Sequence, residues 1–312
     1  LDYIYILIGL IGLYIGGEGL VRGAVAMAER SGISKLIIGL TIVGMGTSAP
    51  ELLVSLQAAL AGKSDIALGN VVGSNIANIL LILGISALVY PISHWDKNIR
   101  RDAMIALGAA LFLFALAQSG TISRLAGMLL TAGLIVYLTF VYLQESKKPR
   151  FNTQVDEPAK LRDLQPNWLS AAFVVGGLVF LVFGADFLVT GASNIARSFG
   201  ISEAVIGLTV VAVGTSLPEL ATSVMAAIKR HSDVSLGNVI GSNIFNLLGI
   251  LGITAMISPV SVNPAIARFD MPLLILLSFL VLVYLIMRHS ASRTVGATLV
   301  VAYFIYTLWL FV

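Results

Sequence analysis

Gly46-Thr-Ser-Ala-Pro-Glu51 returns 168 residues further on as Gly214-Thr-Ser-Leu-Pro-Glu219, and the reading of that repetition decides the fold. Outward from it the chain aligns with itself without a gap, Gly32 to Pro91 against Gly200 to Pro259, with more than half of the paired residues identical. Ile38-Gly-Leu-Thr41 recurs as Ile206-Gly-Leu-Thr209, Leu68-Gly-Asn-Val71 as Leu236-Gly-Asn-Val239, and Gly73-Ser-Asn-Ile-Ala-Asn78 as Gly241-Ser-Asn-Ile-Phe-Asn246. Internal similarity at a fixed period marks a duplicated structural unit. Small residues recur wherever helices pack closely, but packing alone does not demand the same Glu, Thr, Ser and Asn in both copies.

The surroundings of the repeats are apolar. Of 312 residues, 58% are hydrophobic and 11% charged, against about 45–50% and about 25% in a soluble domain; mean hydropathy is +0.96. A soluble globule of this composition could not cover its surface. A cytosolic enzyme, a disordered chain and a nucleic-acid binder are therefore excluded, and a polytopic protein whose surroundings are the lipid bilayer is expected. A helix needs about 20 apolar residues to cross the hydrocarbon layer. Ten stretches qualify, at 2–28, 33–60, 66–90, 102–118, 124–143, 168–196, 201–228, 234–257, 270–287 and 294–312. Between the fifth and sixth lies QESKKPRFNTQVDEPAKLRDLQPN, 144–167, charged and proline-rich, which reads as a linker.

The expected organisation is an all-α membrane protein: a five-helix repeat over 1–143, the linker 144–167 and a second five-helix repeat over 168–312. Five is odd, so the second repeat enters the membrane from the opposite face. Inverted repeats of this kind place substrate sites near the midplane at the repeat interface. Arg30, Lys35, Lys97, Arg100, Arg101, Lys147, Lys148, Lys229 and Arg230 fall in one set of alternating loops, which is much richer in basic residues than the set holding Lys63, Arg124, Arg197 and Arg268. The positive-inside bias puts the first set and the linker in the cytoplasm and both termini outside, in a cell (plasma or inner) membrane. The first residues lack a basic leader and read as a spanning helix rather than a signal peptide. There is no cysteine, and His94, His231 and His289 fall in loops, which excludes thiolate and intramembrane histidine metal sites. Nothing in the sequence calls for a cofactor or an obligatory protein partner.

The chemistry lies in the repeated motifs. Pro50 and Pro218 have no N–H to give the carbonyls of Gly46 and Gly214, so each helix should kink there and expose carbonyl oxygen. Freed carbonyls in hydrocarbon need an electropositive partner. Thr47 and Glu51 are spaced i, i+4, with Ser48 between them, and Thr215, Ser216 and Glu219 repeat the pattern. Ser74 and Asn78, with Ser242 and Asn246, add a hydroxyl and an amide oxygen from each neighbouring helix. Two opposed copies would form an oxygen cage with two carboxylates, suited to Ca²⁺, which takes six to eight oxygens. Na⁺ or protons could neutralise the same carboxylates, which is the basis for exchange. Asn75 and Asn243 sit one position from the serines and read as helix–helix bonds. Ser55 and Ser223 lie one turn beyond the glutamates, along an access path or in a structural role. Glu18 and Arg22 suit an i, i+4 salt bridge, Asp186 is the repeat partner of Glu18, and Asp65 and Asp233 read as N-caps.

The paired Gly-Thr-Ser-x-Pro-Glu and Gly-Ser-Asn-x-x-Asn segments resemble the α-repeats of the cation/Ca²⁺ exchanger superfamily, and among its branches the chain looks most like the prokaryotic sodium/calcium exchangers. The resemblance covers nearly the whole chain. It implies four cation sites between the second, third, seventh and eighth spans. Glu51 and Glu219 would hold Ca²⁺ with the Thr47 and Thr215 carbonyls. Thr47, Ser48 and Ser74 on one side, and Thr215, Ser216 and Ser242 on the other, would hold Na⁺, and the Gly44 and Ala212 carbonyls match further ligand positions. It also implies long first and sixth helices that slide to alternate access. Asn246 stands where many sodium/calcium exchangers carry aspartate, leaving two acids rather than three. The implied activity is Ca²⁺ extrusion driven by Na⁺. A Ca²⁺/H⁺ or K⁺-dependent exchanger is the nearest alternative, and a passive channel a more distant one. No intramembrane nucleophile–base pair supports an enzyme.

Overall fold

The structure, a computed structural model, describes residues 2–31, 35–93, 95, 97–146, 167–200, 212–288 and 290–309. Most of the linker expected over 144–167, the first part of the span expected over 201–228, and His94 and His289 lie outside the described residues. The first repeat comprises α1 (Asp2–Ser31), α2 (Lys35–Ile38), a π-helical turn over Gly39–Val43, α3 (Gly44–Thr47), α4 (Ala49–Leu60), α5 (Ser64–Ala77), a second π-helical turn over Asn78–Ile82, α6 (Leu83–Val89), α7 (Lys97–Ala117) and α8 (Arg124–Ser146). The second comprises α9 (Asn167–Ser198), α10 (Ala212–Thr215), α11 (Leu217–Ile228), α12 (Ser232–Ile244), a π-helical turn over Phe245–Ile250, α13 (Leu251–Ile257), a π-helical turn over Ile266–Asp270, α14 (Met271–Met287) and α15 (Arg293–Trp309).

Helices this apolar satisfy every backbone group internally, the condition hydrocarbon imposes. Among the described residues six helical runs are long and apolar enough to cross a bilayer: Asp2–Arg30, Ser64–Val89, Arg124–Gln144, Trp168–Ser198, Ser232–Ile257 and Ile266–Met287. Gly39–Thr47 with Ala49–Leu60 makes a seventh if that pair, bent by 47°, is one span. Helices also stand at the remaining expected positions. Arg100, Arg101 and Asp102 interrupt the apolar run of α7, however, and α11 and α15 are only 12 and 17 residues long. The surface is apolar, with Leu7, Ile11, Phe183, Phe279 and Ile305 exposed, while a cluster of polar residues that includes Glu51, Glu219, Asn238 and Ser242 is buried within an otherwise hydrophobic core.

Two contacts tie the repeats together with approximate twofold symmetry. Strand β1 (Ile92–Ser93) pairs antiparallel with β4 (Ser290–Ala291), and β2 (Thr121–Ile122) with β3 (Val260–Ser261), so each repeat lends one short strand to each ladder. Helices α1 and α9 cross antiparallel through glycines seven residues apart, Gly9, Gly16 and Gly23 against Gly177, Gly184 and Gly191. A Cβ on Gly16 would lie 2.7 Å from the Leu181 nitrogen, and one on Gly177 2.5 Å from that of Leu20, so the backbones touch directly. Helices α5 and α12 run through the interior and, with α4 and α11, carry most of the buried polar residues of the site.

Four charged residues depart from their expected roles. Glu18 reaches across to Lys229 at the end of α11, and the Arg22 guanidinium lies 4.8 Å from the centre of the Phe173 ring. Asp65 and Asp233 lie inside the first turns of α5 and α12 rather than at the caps, which are Lys63 and His231 and make no side-chain cap bond. Asp65 instead accepts from Asn263 Nδ2 at 3.1 Å.

Candidate functional site

The site starts from two helix breaks. Ser48 has φ −84°, ψ 7° and Ser216 has φ −91°, ψ 6°, so repeat-related residues leave the helix in the same way. Pro50 and Pro218 then occupy the first turn of α4 and α11, where a missing N–H leaves no helical bond broken. The break corrects one expectation. Thr47 and Glu51 do not share the face of a continuous helix. Thr47 closes α3, Glu51 lies in the first turn of α4, and the two turn to different partners.

Each hydroxyl at a break reaches into the other repeat. Ser48 Oγ donates to Glu219 Oε1 at 2.8 Å. Ser216 Oγ lies 3.3 Å from Glu51 Oε1 and 3.4 Å from Ser74 Oγ. A carboxylate only accepts, so Ser216 donates to Glu51 and Ser74 donates to Ser216. Thr47 Oγ1 donates towards Asn238 Oδ1 at 3.3 Å, with the Gly44 carbonyl at 3.4 Å as a second acceptor. Thr215 Oγ1 donates to Asn70 Oδ1 at 3.4 Å. Ser242 Oγ donates to the Gly44 carbonyl at 3.3 Å. Helices α3 and α12 approach closely at this bond: a Cβ on Gly44 would lie 3.1 Å from the Ser242 nitrogen, a tight contact.

Both glutamates are buried at 1% exposure. Among the described residues Glu51 Oε2 and Glu219 Oε2 meet no hydrogen-bond partner, and neither do Asn78 Oδ1 and both side-chain polar atoms of Asn246. Asn78 is the first residue of one π-helical turn and Asn246 the second of another, a feature that often sits at functional sites. Asn78 Nδ2 donates to Asn243 Oδ1 at 2.9 Å, and Asn243 Nδ2 lies 3.5 Å from the Asn75 carbonyl, so Asn75 and Asn243 belong to a helix–helix contact. Ala212 is the first residue of α10. No group of three or more His, Cys, Asp or Glu is clustered among the described residues, so the two carboxylates are surrounded by neutral oxygen donors.

Two residues were missed from the sequence. Asn70 Nδ2 donates to the Glu51 carbonyl at 3.2 Å and to Ser55 Oγ at 2.9 Å, and Asn238 Nδ2 donates to the Glu219 carbonyl at 3.2 Å and Ser223 Oγ at 2.8 Å. The available signal was Leu-Gly-Asn-Val, repeated at the same offset as the glutamates. These bonds also fix Ser55 and Ser223 in structural roles.

Comparison with known proteins agrees with this arrangement. The profile of the family described as "Sodium/calcium exchanger protein" matches residues 1–143 and 169–312. The chain is 39% identical over 268 residues to the putative antiporter CaxA of Alkalimonas amylolytica, covering 86% of this chain and 84% of that one. It is 33% identical over 352 residues to the sodium/calcium exchanger MaX1 of Methanosarcina acetivorans, covering 99% and 98%. The solved structure of the sodium-calcium exchanger NCX_Mj soaked with zero Na⁺ and Ca²⁺ matches with a TM-score of 0.85 at 32% identity, over 97% of both chains.

Proposed function

Because the chain belongs to the sodium/calcium exchanger family, we propose that it is a secondary antiporter exchanging Ca²⁺ for Na⁺ across the membrane by alternating access. It is a transporter and not an enzyme. The observation that carries the ion-binding reading is the pair of buried glutamates. Each has one oxygen held by a serine of the other repeat and one with no partner among the described residues. A buried, unpaired carboxylate oxygen costs several kcal/mol, and a cation placed against both removes that cost. Two carboxylates balance one Ca²⁺ or two Na⁺. In this reading Ca²⁺ lies between Glu51 and Glu219 with the Thr47 and Thr215 carbonyls. Na⁺ uses Thr47, Ser48 and the Gly44 carbonyl on one side, and Thr215, Ser216 and the Ala212 carbonyl on the other, with Asn78 and Asn246 oxygens alongside. Ser242, bonded to the Gly44 carbonyl, joins the first set and Ser74, beside Ser216, the second, an exchange of the two serines relative to the sequence expectation.

Burial supports alternating access. Helix α1 covers α11: a Cβ on Gly17 would lie 3.1 Å from the Ala221 carbonyl, and Met225 is only 6% exposed. At the repeat-related positions of α4, Leu53 is 59% exposed and Gln57 is exposed. One flank is covered and its twin is open, as two near-equal repeats occupying one of two mirrored states would be. The same reading takes the chain as ten spans in two inverted repeats, 1–143 and 168–312, with the 144–167 linker cytoplasmic and both termini outside a cell membrane.

A second reading has one supporting observation. Asn246 is buried with no partner on either amide atom among the described residues and adds no third negative charge, so protons could take the place of Na⁺ on the two glutamates. Uptake of ⁴⁵Ca²⁺ into proteoliposomes separates the readings. Uptake that requires internal Na⁺ and is lost in Glu51→Gln is expected. Uptake driven by a pH gradient alone makes the protein a proton exchanger, and uptake indifferent to every internal cation makes it a channel.

A further inference from the structure

We infer that Asn70 and Asn238 are positioning residues that turn the threonine hydroxyl of the opposite repeat so that its proton points away from the ions; the inference rests on the cation site proposed above. The orientation of each amide is fixed by its surroundings. Both Nδ2 hydrogens of Asn238 are committed, to the Glu219 carbonyl and to Ser223 Oγ, so the end facing Thr47 is the acceptor oxygen. Asn70 is fixed likewise by the Glu51 carbonyl and Ser55 Oγ, and its oxygen faces Thr215. A hydroxyl carries one proton. Thr47 has two acceptors in reach, Asn238 Oδ1 at 3.3 Å and the Gly44 carbonyl at 3.4 Å. If the proton goes to the carbonyl, it adds a third donor to an oxygen that already accepts from the Ser48 N–H at 3.2 Å and from Ser242 Oγ at 3.3 Å. If Asn238 takes it, the Thr47 oxygen keeps its lone pairs for a cation.

The same asparagine ties this choice to the glutamate. Asn238 holds the Glu219 backbone, while Ser48, next to Thr47, holds the Glu219 carboxylate. Thr47 and Ser48 of one repeat therefore grip one residue of the other, by an indirect bond and a direct one. Thr215 and Ser216 grip Glu51 through Asn70 in the same way. A threonine and its asparagine should then act as one unit rather than as two separate contributors.

A double-mutant cycle tests this. Equilibrium ⁴⁵Ca²⁺ binding and exchange kinetics are measured for Thr47→Val, Asn238→Leu and the double variant, with Glu51→Gln as the site control. Each single change should weaken half-saturating Ca²⁺ about tenfold, the equivalent of one hydrogen bond, with maximal rate nearly kept, and the double should be no worse than the singles. Multiplying effects overturn the inference. So does a Thr47→Val that binds like wild type while Asn238→Leu loses only rate and thermal stability. Asn70→Leu with Thr215→Val, at the less buried asparagine, supplies the same cycle if Asn238→Leu does not fold. If Glu51→Gln binds Ca²⁺ normally, the site itself is wrong; if it loses binding while the cycle multiplies, only the positioning role fails.

Discussion

Gly176 and Gly177 are neighbours on α9, and alanine at the two should have opposite effects. At Gly177 the new Cβ would stand 2.5 Å from the Leu20 nitrogen, 2.8 Å from the Gly16 carbonyl oxygen and 2.9 Å from the Leu20 Cα. These atoms are all α1 backbone, so no side chain can swing aside. Restoring an ordinary contact of about 3.4 Å requires α1 and α9 to part by about 0.9 Å locally, a gap that forfeits a quarter to a half of the dispersion energy of each contact beside it. Overpacking of this kind costs about 1–3 kcal/mol. At Gly176 nothing lies within 4 Å of the new Cβ, and alanine gains helix propensity of up to about 1 kcal/mol. Thermal unfolding in detergent should put Gly177→Ala several degrees below wild type and Gly176→Ala at or above it. Equal shifts in the two variants, or a Gly177→Ala that melts at the wild-type temperature, would refute the direct backbone contact. Gly16→Ala probes the same crossing from the other helix and should behave like Gly177→Ala.

The serine–glutamate bonds differ in length, 2.8 Å for Ser48 to Glu219 and 3.3 Å for Ser216 to Glu51. Ser48→Ala should therefore weaken Ca²⁺ binding more than Ser216→Ala, by about tenfold for the shorter, charge-assisted bond; equal or reversed losses in an equilibrium binding assay would contradict the geometry. The Glu18–Lys229 pair is partly exposed, with side-chain exposures of 38% and 27%. Lys229→Gln should cost less than about 1 kcal/mol and lose its effect in high salt, and Glu18→Lys with Lys229→Glu should restore the wild-type melting temperature. A cost that persists in high salt would mean that Lys229 acts through packing rather than charge.

Much of this was legible in the sequence because duplication isolates what matters. The offset that aligns Glu51 with Glu219 also aligns Ser48 with Ser216, and the structure sets each serine against the opposite glutamate. What stayed hidden depended on distance along the chain. Glu18 has Arg22 at a suitable helical spacing, yet its observed bond is to Lys229, 211 residues away, because α1 lies against the end of α11. Asn70 and Asn238 stood in a repeated segment but looked like single polar residues in apolar helices. Their value comes from three partners spread over two other helices, one in each repeat, which no local spacing encodes. The breaks at Ser48 and Ser216 were expected from Pro50 and Pro218. The expectation placed the kink within a continuous helix, whereas a full break is what separates Thr47 from Glu51.

The pattern of used and unused oxygens bears on how coupling could arise. The bonds between the repeats occupy only one oxygen of each glutamate, so a cation can bind without dismantling the contacts that bring the breaks together. Removing it leaves two buried carboxylates with nothing to offset their partnerless oxygens. For an exchanger this is the condition that matters: the loaded protein can pass from one face to the other, and the empty one must not. A penalty of about 5.5 kcal/mol on the empty intermediate would make its passage about ten-thousand-fold rarer, and the desolvation of two unpaired carboxylates is of that order. Tight coupling would then need no separate gate. Glu51→Gln with Glu219→Gln removes both charges and with them the penalty, so the doubly substituted protein should lose Ca²⁺ binding and yet sample both faces freely. Distance measurements between α1 and α11 in the absence of cations should show a broadened distribution for that variant and a narrow one for the wild type; two narrow, identical distributions would mean that something other than the buried charge holds the empty protein in place.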